Sequence, residues 1–448
     1  MEHIDALSPL DGRYHDTVAP LNRFFSERAY FQYRAVVEIK YVLAFLEVTR
    51  AVDLSASEKE HLASIPDISD QDFLAIKDFE RETHHDIKAL EYFIKGKINN
   101  KALLPFIHFG LTSEDVNNIA YGLMLSDALE KSLLPALDKV IRDLMDFADR
   151  YQSSPMLSRT HGQPASPTTF GKEMRIFQDR LQKKISKVKA HKLGAKLNGA
   201  TGNYNALVAA YPQVDWIAFS TNFINSFNQG RLIKLQPSLI TTQIEPGDAL
   251  VELFDLLRGS NNILMDLCRD MWRYISDGWL QQKLILGEVG SSTMPHKINP
   301  IQFENAEGNL GFANAILMFF SQKLPVSRLQ RDLSDSTVKR NMGVSFGHCL
   351  LAYTSISNGL ARISLNEEKC IQELNKNPQI ITEAIQMILK REGNSDAYES
   401  LLELSRGKQL TLSDIENFIN QLKISEDVRA ELRTITPATY IGLSDKLN

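Results

Sequence analysis

The sequence has little cysteine and no long apolar run. Its three cysteines, Cys268, Cys349 and Cys370, form no Cys-x-x-Cys pair. This count gives no disulfide framework and suits a reducing compartment. The N-terminal segment has no basic stretch followed by an apolar core, and no segment approaches the roughly 20 apolar residues of a membrane span. We therefore expect a cytoplasmic protein with no membrane contact.

An excess of positive charge is also missing. Fifty lysines and arginines against 55 acidic residues give a formal net charge of −5, whereas a dedicated nucleic-acid binder usually has a strongly basic face. There is no glycine-rich phosphate loop and no dinucleotide fingerprint. We expect neither a nucleic-acid partner nor a cofactor.

Several long segments contain no proline. Because proline in a helix interior costs about 3 kcal/mol, such segments permit long helices. They include residues 21–65, 67–104, 106–134, 168–211, 247–294 and 326–377. Sustained period-two alternation is absent, and short strands are expected only where glycine, asparagine and threonine gather, near 196–204 and 230–244. The sequence predicts an all-α protein.

One of these segments has a heptad-like apolar stripe, the pattern of a helix packed nearly parallel to its neighbours. The stripe consists of Leu250, Leu253, Leu257, Leu264, Leu267 and Met271. Gly259 interrupts it, so a bend is expected there. The stripe predicts a bundle but does not distinguish a bundle within one chain from one between chains.

The most informative run is Gly290–Pro300, which reads Gly-Ser-Ser-Thr-Met-Pro-His-Lys-Ile-Asn-Pro. Glycine lets backbone N–H groups approach a ligand, and the hydroxyls, lysine and amide suit an anionic substrate. The run resembles the signature loop of the fumarase/aspartase superfamily, whose members eliminate fumarate from a substituted succinate. With His296 in the loop, it looks most like the adenylosuccinate lyase family.

A second run, Ser158-Arg159-Thr160-His161-Gly162-Gln163-Pro164-Ala165, carries the same resemblance. Pro164 and Pro167 are expected to open a helix, which would place His161 just ahead of its N-terminus. A single histidine is more often structural, but the resemblance implies that His161 is the general acid. Gly162 fits the adenylosuccinate lyases, because related lyases usually have leucine there.

Adjacent histidines at 84 and 85 fall within a helical pattern, where their side chains would point about 100° apart and not form the i, i+4 pair of a zinc site. No metal is therefore expected. Thr112 and Ser113 are placed to cap a helix, and a helix N-terminus also binds anions. The arginines near 331 and 340 would, without the resemblance, be read as a solvated face.

The resemblance assigns roles to matching positions. It implies Ser291 as the general base beside the acid, and a supporting role for His108 and Glu304. The implied substrate-binding residues are Arg13, Tyr14, His84, His85, Asp86, Thr112, Ser113, Gln243, Ser292, Lys297, Asn299, Arg331, Ser336 and Arg340. Among these, Arg13, Tyr14 and the later arginines would contact the phosphate and sugar of a purine nucleotide.

The resemblance spans essentially the whole chain. It implies three helical domains, 1–105, 106–360 and 361–448, with a central long-helix bundle that forms the core of a homotetramer with shared active sites. The run at 196–205 resembles the longer bacterial type, and the stretch 230–237 has no assigned function. The implied carbon–nitrogen lyase reaction cleaves adenylosuccinate to AMP and fumarate, and succinyl-aminoimidazole-carboxamide ribotide to the carboxamide ribotide. The alternatives are a sister lyase for argininosuccinate, a cycloisomerase, or a helical scaffold without catalysis.

Overall fold

The computed structural model describes residues 5–283, 294, 297–405 and 410–447. Helices account for most of these residues, and the strands are short and paired in twos. The all-α prediction is confirmed.

The α-helices are numbered along the chain. In the N-terminal third they are α1 His15–Val18, α2 Asn22–Phe25, α3 Glu27–Thr49, α4 Ala56–Ser64, α5 Asp70–Thr83, α6 Asp86–Lys97, α7 Ser113–Ala128 and α8 Leu134–Arg150. In the middle they are α9 Phe170–Ala190, α10 Asn205–Ala210, α11 Trp216–Ser226, α12 Asp248–Ser276 and α13 Ile301–Lys323. The remainder are α14 Ser334–Lys339, α15 Met342–Ala361, α16 Glu367–Asn375, α17 Thr382–Arg391, α18 Ala397–Ser405, α19 Leu412–Gln421 and α20 Glu426–Thr434.

In the part of the chain that the structure describes, three 3₁₀-helices and one π-helical turn connect some of these elements. The 3₁₀-helices are Ala19–Leu21, Lys101–Phe106 and Pro378–Ile381, and the π-helical turn Leu129–Leu133 joins α7 to α8.

Within the described residues, six short strands form three two-stranded sheets. An antiparallel hairpin consists of β1 Pro155–Thr160 and β2 Gln163–Thr169. The strand β3 Lys192–Ala195 pairs in parallel with β4 Lys234–Pro237, and β5 Leu280–Gln282 pairs antiparallel with β6 Ile363–Leu365. A strand within 230–244 was predicted and is confirmed, whereas its partner ends one residue before the predicted 196–204 segment. The β1–β2 hairpin was not predicted.

The stripe on α12 is buried as predicted, except at its first residue, Leu250, which is half-buried. Leu253, Leu257, Leu264, Leu267 and Met271 have no exposed surface, and burying each such side chain contributes about 1.5–3 kcal/mol. The helix continues through Gly259, where an added Cβ would lie 3.0 Å from Nζ of Lys184. Gly259 therefore leaves room for the Lys184 side chain to approach the helix closely, and it does not end the helix.

The chain forms two compact units, each assembled from three segments. Unit 1 comprises 1–137, 183–262 and 308–354, and unit 2 comprises 138–182, 263–307 and 355–448. In unit 1, α3 packs against α7 and α5 against α6. In unit 2, α16 packs against β1, and the pairs α17–α18 and α19–α20 pack together. The division into three domains at 105 and 360 stays a prediction.

The stretch 230–237 has a structural explanation within unit 1. The guanidinium of Arg231 pairs with Asp127 at 2.8 Å, and the amide of Ile233 donates to Glu130 at 2.8 Å. These bonds fix the approach to β4 against the end of α7. Across the described ranges, no helix is long and apolar enough to cross a membrane.

Candidate active site

A charge cluster in unit 1 contains two predicted substrate-binding residues, Asp86 and Arg340. Asp86, the first residue of α6, accepts hydrogen bonds from Arg34 at 2.8 Å and from Arg340 at 2.7 Å. Burial alone would raise the pKa of this carboxyl, but the two guanidiniums outweigh burial and hold its pKa well below the usual range. Two cations around one carboxylate leave a net positive charge, which suits an anionic substrate group.

The histidines before Asp86 do not lie inside a helix, contrary to the prediction. The helix α5 ends at Thr83, and His84 follows it in the left-handed region with a φ of 51°. His85 then caps α6, its Nδ1 accepting from the Lys88 amide at 3.2 Å. Both histidines are exposed. The break between the helices therefore presents both imidazoles on one turn beside Asp86.

The predicted cap at the start of α7 is confirmed. Thr112 is the N-cap, and its amide donates to the Asp115 carboxylate at 2.9 Å. Ser113 begins the helix, and both residues are half-buried. The turn is thus accessible, and its helix N-terminus favours negative charge.

Asp115 is itself part of a fully buried ion pair. It accepts from Nζ of Lys196 at 2.8 Å and from the amides of Asn198 and Gly199 at 3.0 and 3.2 Å. The same ammonium donates to the backbone oxygen of Gln243 at 3.0 Å. This pair therefore ties the Thr112 turn to the loop after β3 and to the backbone of a predicted substrate residue.

Arg331 lies in a second buried network with alternating charge. Its guanidinium approaches Glu114 at 3.3 Å and the side-chain oxygen of Gln243 at 3.4 Å. Lys339 donates to Glu114 and Asp335 at 3.0 Å each, and these carboxylates outweigh burial to raise the pKa of its ammonium. The network balances two positive and two negative charges and holds Arg331 in place.

The helix α14, which carries Asp335 and Lys339, also contains Ser336, and Ser336 is half-buried. Lys339 and Arg340 line a cavity of about 270 Å³ whose other walls include the rings of Tyr30 and Tyr121. Arg331 is 14% exposed and Arg340 is 44% exposed. Arg331 is thus not on a solvated face, whereas Arg340 remains accessible.

Arg13 and Tyr14 lie at the start of α1. The guanidinium of Arg13 is exposed and lies 5.8 Å from the centre of the Tyr14 ring. That ring packs against a small core of Leu10, Val18 and Leu351. The tyrosine therefore anchors the turn that presents the arginine.

In unit 2, His161 lies in a hairpin turn and not ahead of a helix. His161 and Gly162 have φ angles of 52° and 77° and connect β1 to β2 directly. Pro164 and Pro167 lie within β2, and the following helix begins at Phe170. The expectation was wrong because a two-residue turn with both φ angles positive forms a tight hairpin. The hairpin leaves the imidazole exposed at its tip.

Three more predicted residues lie around the start of α13. Lys297 is exposed and Asn299 is half-buried just before this helix. Glu304 lies in its first turn, where Oε1 accepts from the indole N–H of Trp272 at 3.0 Å. Ser291, Ser292 and His296 lie outside the described residues.

His108, predicted as a supporting residue, forms an ion pair in unit 1. Its Nδ1 lies 2.6 Å from Oε1 of Glu38 on α3, and its φ is 60°. Three of the candidate histidines, 84, 108 and 161, thus have left-handed backbone. Such strain is uncommon outside glycine and tends to occur at functional sites.

Sequence reasoning missed the buried partners of these residues. They are Arg34, Glu38, Glu114, Asp115, Lys196, Asp335 and Lys339. A signal was present for two of them, because Arg34 and Glu38 are charged residues four apart on an otherwise apolar face of α3. Among the described residues, no cluster of three or more histidine, cysteine or acidic side chains could hold a metal ion.

Comparison with known proteins adds independent findings. The family profile described as lyase matches residues 12–314, and the profile described as adenylosuccinate lyase C-terminal matches 327–441. The chain is similar in fold to a fumarate lyase from Mesorhizobium sp. BNC1, with a TM-score of 0.76, 15% identity and 96% of each chain covered. It is also similar to a 3-carboxy-cis,cis-muconate lactonizing enzyme from Pseudomonas putida, with a TM-score of 0.73, 18% identity and 96% and 94% of the two chains covered.

Curated relatives are much closer in sequence. An adenylosuccinate lyase from Haemophilus influenzae is 44% identical over 99% of this chain and 98% of its own length. One from Dictyostelium discoideum is 46% identical over 99% and 97%, and one from Escherichia coli K12 is 43% identical over 99% and 97%. This similarity extends along both units, and the chain therefore belongs to the adenylosuccinate lyase family of carbon–nitrogen lyases.

Proposed function

We propose that this protein cleaves adenylosuccinate to AMP and fumarate, and the related succinyl carboxamide ribotide in the same way. The family membership carries this proposal, and it is supported by the net positive cluster around Asp86 and by the buried network that holds Arg331. Both substrates combine a phosphate with two carboxylates, so they require fixed positive charge and N–H donors.

The reaction needs two proton transfers. A base removes a proton from the succinyl carbon beside a carboxylate, and an acid protonates the departing nitrogen. We assign the base to Ser291 and the acid to His161. The exposed hairpin tip supports the second assignment, because it places an imidazole where another molecule can reach it.

The substrate anions are assigned to residues that bear positive charge or donate hydrogen bonds. We assign the phosphate to Arg13, Arg331 and Arg340, with Tyr14 and Ser336 beside it. The succinyl carboxylates are assigned to the Thr112–Ser113 turn, to Ser292, and to Lys297 and Asn299. His85 and Gln243 would orient the substrate, and His84 and Glu304 would support this arrangement.

We further propose a homotetramer in which different subunits contribute to each active site, located in the cytoplasm. The apolar face of α13 supports the assembly. Phe312, Ala315 and Phe319 follow at spacings of three and four, and all three are exposed together with Met318. A contiguous exposed apolar face is typical of a surface that another chain covers.

The direct test adds adenylosuccinate to the purified protein and measures fumarate and AMP, with argininosuccinate as the control substrate. Equal amounts of fumarate and AMP, with no reaction of the control, are expected. Fumarate from argininosuccinate instead would assign the chain to a sister activity, and no product from either would favour a scaffold without catalysis.

A further inference from the structure

The pair of Glu38 and His108 is not explained by stability. Glu38 is 3% exposed, and within the described residues its Oε2 is buried without a hydrogen-bond partner. A buried carboxylate oxygen without a partner destabilises the folded state. Its Oε1 accepts a short hydrogen bond of 2.6 Å from Nδ1 of His108, a length typical of a charge-assisted bond. A negative charge is therefore kept inside the protein next to one imidazole.

Glu38 differs from the other carboxylates around this imidazole. Asp115 on α7 is paired with Lys196, whereas across the described residues no lysine or arginine forms an ion pair with Glu38. The charge of Glu38 is therefore balanced by His108 alone.

The third carboxylate near His108 is Glu91 on α6, which is paired with Lys88 and Lys95. Burial lowers the pKa of His108, but the negative charges of Glu38, then Glu91 and Asp115, outweigh burial and raise it. The surroundings on all three helices thus favour a protonated ring.

The other side of the ring is accessible. Nε2 of His108 makes no hydrogen bond to any described residue, and the side chain is 16% exposed. The left-handed backbone of this residue turns the chain four residues before Thr112, the cap of α7. An imidazolium with a free N–H is a strong donor for an anionic oxygen.

We propose that Glu38 is a positioning residue which acts through His108, keeping it an imidazolium whose Nε2–H binds an anionic oxygen group of the substrate. This inference rests on the proposed function. It assigns His108 to binding as a cation, and the acid role stays with His161. The anionic group is a succinyl carboxylate or the phosphate.

The test compares wild type with Glu38→Gln, which preserves shape and an acceptor oxygen but removes the charge. We expect KM to rise about tenfold, as for loss of one charge-assisted bond, with kcat changed less than about threefold. Because the pKa of His108 falls when the negative charge of Glu38 is removed, the loss of kcat/KM at high pH should begin at a lower pH. Equal falls in kcat and kcat/KM, with an unmoved pH profile, would overturn the proposal.

Two further variants separate this role from a structural one. Glu38→Asp keeps the charge and should return the pH profile towards wild type; it also serves as the test if the glutamine variant does not fold. The double variant Glu38→Gln/His108→Gln should have the same KM as His108→Gln alone, because Glu38 acts on the substrate only by way of the His108 imidazole. A full additional rise in KM in that background would contradict the proposal.

Product inhibition identifies the bound group. Weaker inhibition of Glu38→Gln by fumarate alone indicates a carboxylate, and weaker inhibition by AMP alone indicates the phosphate. Unchanged inhibition by both contradicts anion binding.

Histidine NMR titration of the wild type and Glu38→Gln tests the link between Glu38 and the protonation of His108 without catalysis. A lower pKa for His108 in the variant supports it even if adenylosuccinate is not cleaved, whereas an unchanged pKa rejects it.

Discussion

The two units differ in the partners that surround some of their candidate functional residues. In unit 1, Lys196 and Asp115 are completely buried, and Arg331 is held among buried carboxylates. In unit 2, His161 and Lys297 are exposed, one on a hairpin tip and one just before α13. Arg331 is thus held in place by buried partners, whereas His161 and Lys297 are open to solvent. Unit 1 also has exposed candidates, namely Arg13, Arg340 and the two histidines before Asp86.

This difference predicts that substitutions in the two units will affect stability differently. Buried charges need partners, so the positions of Arg331, Lys196 and Asp115 are fixed by folding before any substrate arrives. An exposed histidine costs little in stability and can be replaced without unfolding the protein. Variants in unit 1 should therefore couple binding to stability, and variants in unit 2 should separate activity from stability.

The largest expected effect is on chemistry in unit 2. His161→Ala should lower kcat by about 10²- to 10⁴-fold, the usual contribution of general acid catalysis, while the thermal unfolding midpoint changes little. Thr160→Ala, the exposed neighbour on β1, is the matched control and should stay within a few-fold of wild type. A His161→Ala protein with a nearly normal rate would remove the acid assignment. Ser291→Ala should show a loss as large as that of His161→Ala.

A stability effect of similar size is expected in unit 1. Lys196→Met leaves the buried Asp115 without its cation, which should reduce the free energy of unfolding by roughly 3–5 kcal/mol in denaturant titrations. Lys139→Met removes an exposed pair with Asp143 and should reduce it by less than about 1 kcal/mol. Equal losses of unfolding free energy in the two variants would contradict the expected difference between a buried and an exposed ion pair.

Substrate binding should respond to the second buried network. Arg331→Ala should raise KM more than about tenfold and lower kcat less, because a charge-assisted bond to the phosphate is lost. Arg328→Ala, an arginine that is 85% exposed and faces Asp332, is the control. A variant that lost kcat with KM unchanged would remove Arg331 from the phosphate site.

The pH dependence of stability should identify Asp86 as a charged partner in unit 1. Its pKa is depressed in the folded state, so its stabilisation is present above the unfolded-state pKa of about 3.9 and is lost as pH falls towards the folded-state pKa. Asp86→Asn should therefore be less stable than wild type near pH 7, with the difference narrowing below about pH 4. Chemical denaturation across this range measures it. A difference that widened on acidification would have the wrong sign.

The smallest expected effect concerns the hairpin turn. Gly162 has a φ of 77°, and an added Cβ would meet no atom within 4 Å, so Gly162→Ala should cost about 1 kcal/mol through backbone strain alone. Gly96 in α6 has equally open surroundings but helical geometry, and Gly96→Ala should stabilise by roughly 0.5–1 kcal/mol. The two alanine variants, compared by thermal unfolding, isolate the strain in the turn that carries His161.

The sequence predicted the helical class and the α12 stripe because periodic apolar residues report on burial directly. It also predicted the Thr112 cap, where side-chain chemistry acts over three residues. It did not predict the β1–β2 hairpin, because the prolines in β2 resemble a helix start and the strand pairing depends on a turn of two residues. The pairing of Asp115 with Lys196, 81 residues apart, has no local signal at all.

Refolding two variants together tests most directly whether each active site takes its residues from different subunits. His161→Ala and His85→Ala proteins would be denatured together, refolded at equal amounts and assayed for fumarate release from adenylosuccinate. If each active site takes these residues from different subunits, about a quarter of the sites in mixed tetramers contain both histidines, and activity returns to about that fraction of wild type. Activity no higher than that of the two variants measured separately would show that both histidines act within one chain and would contradict the shared site.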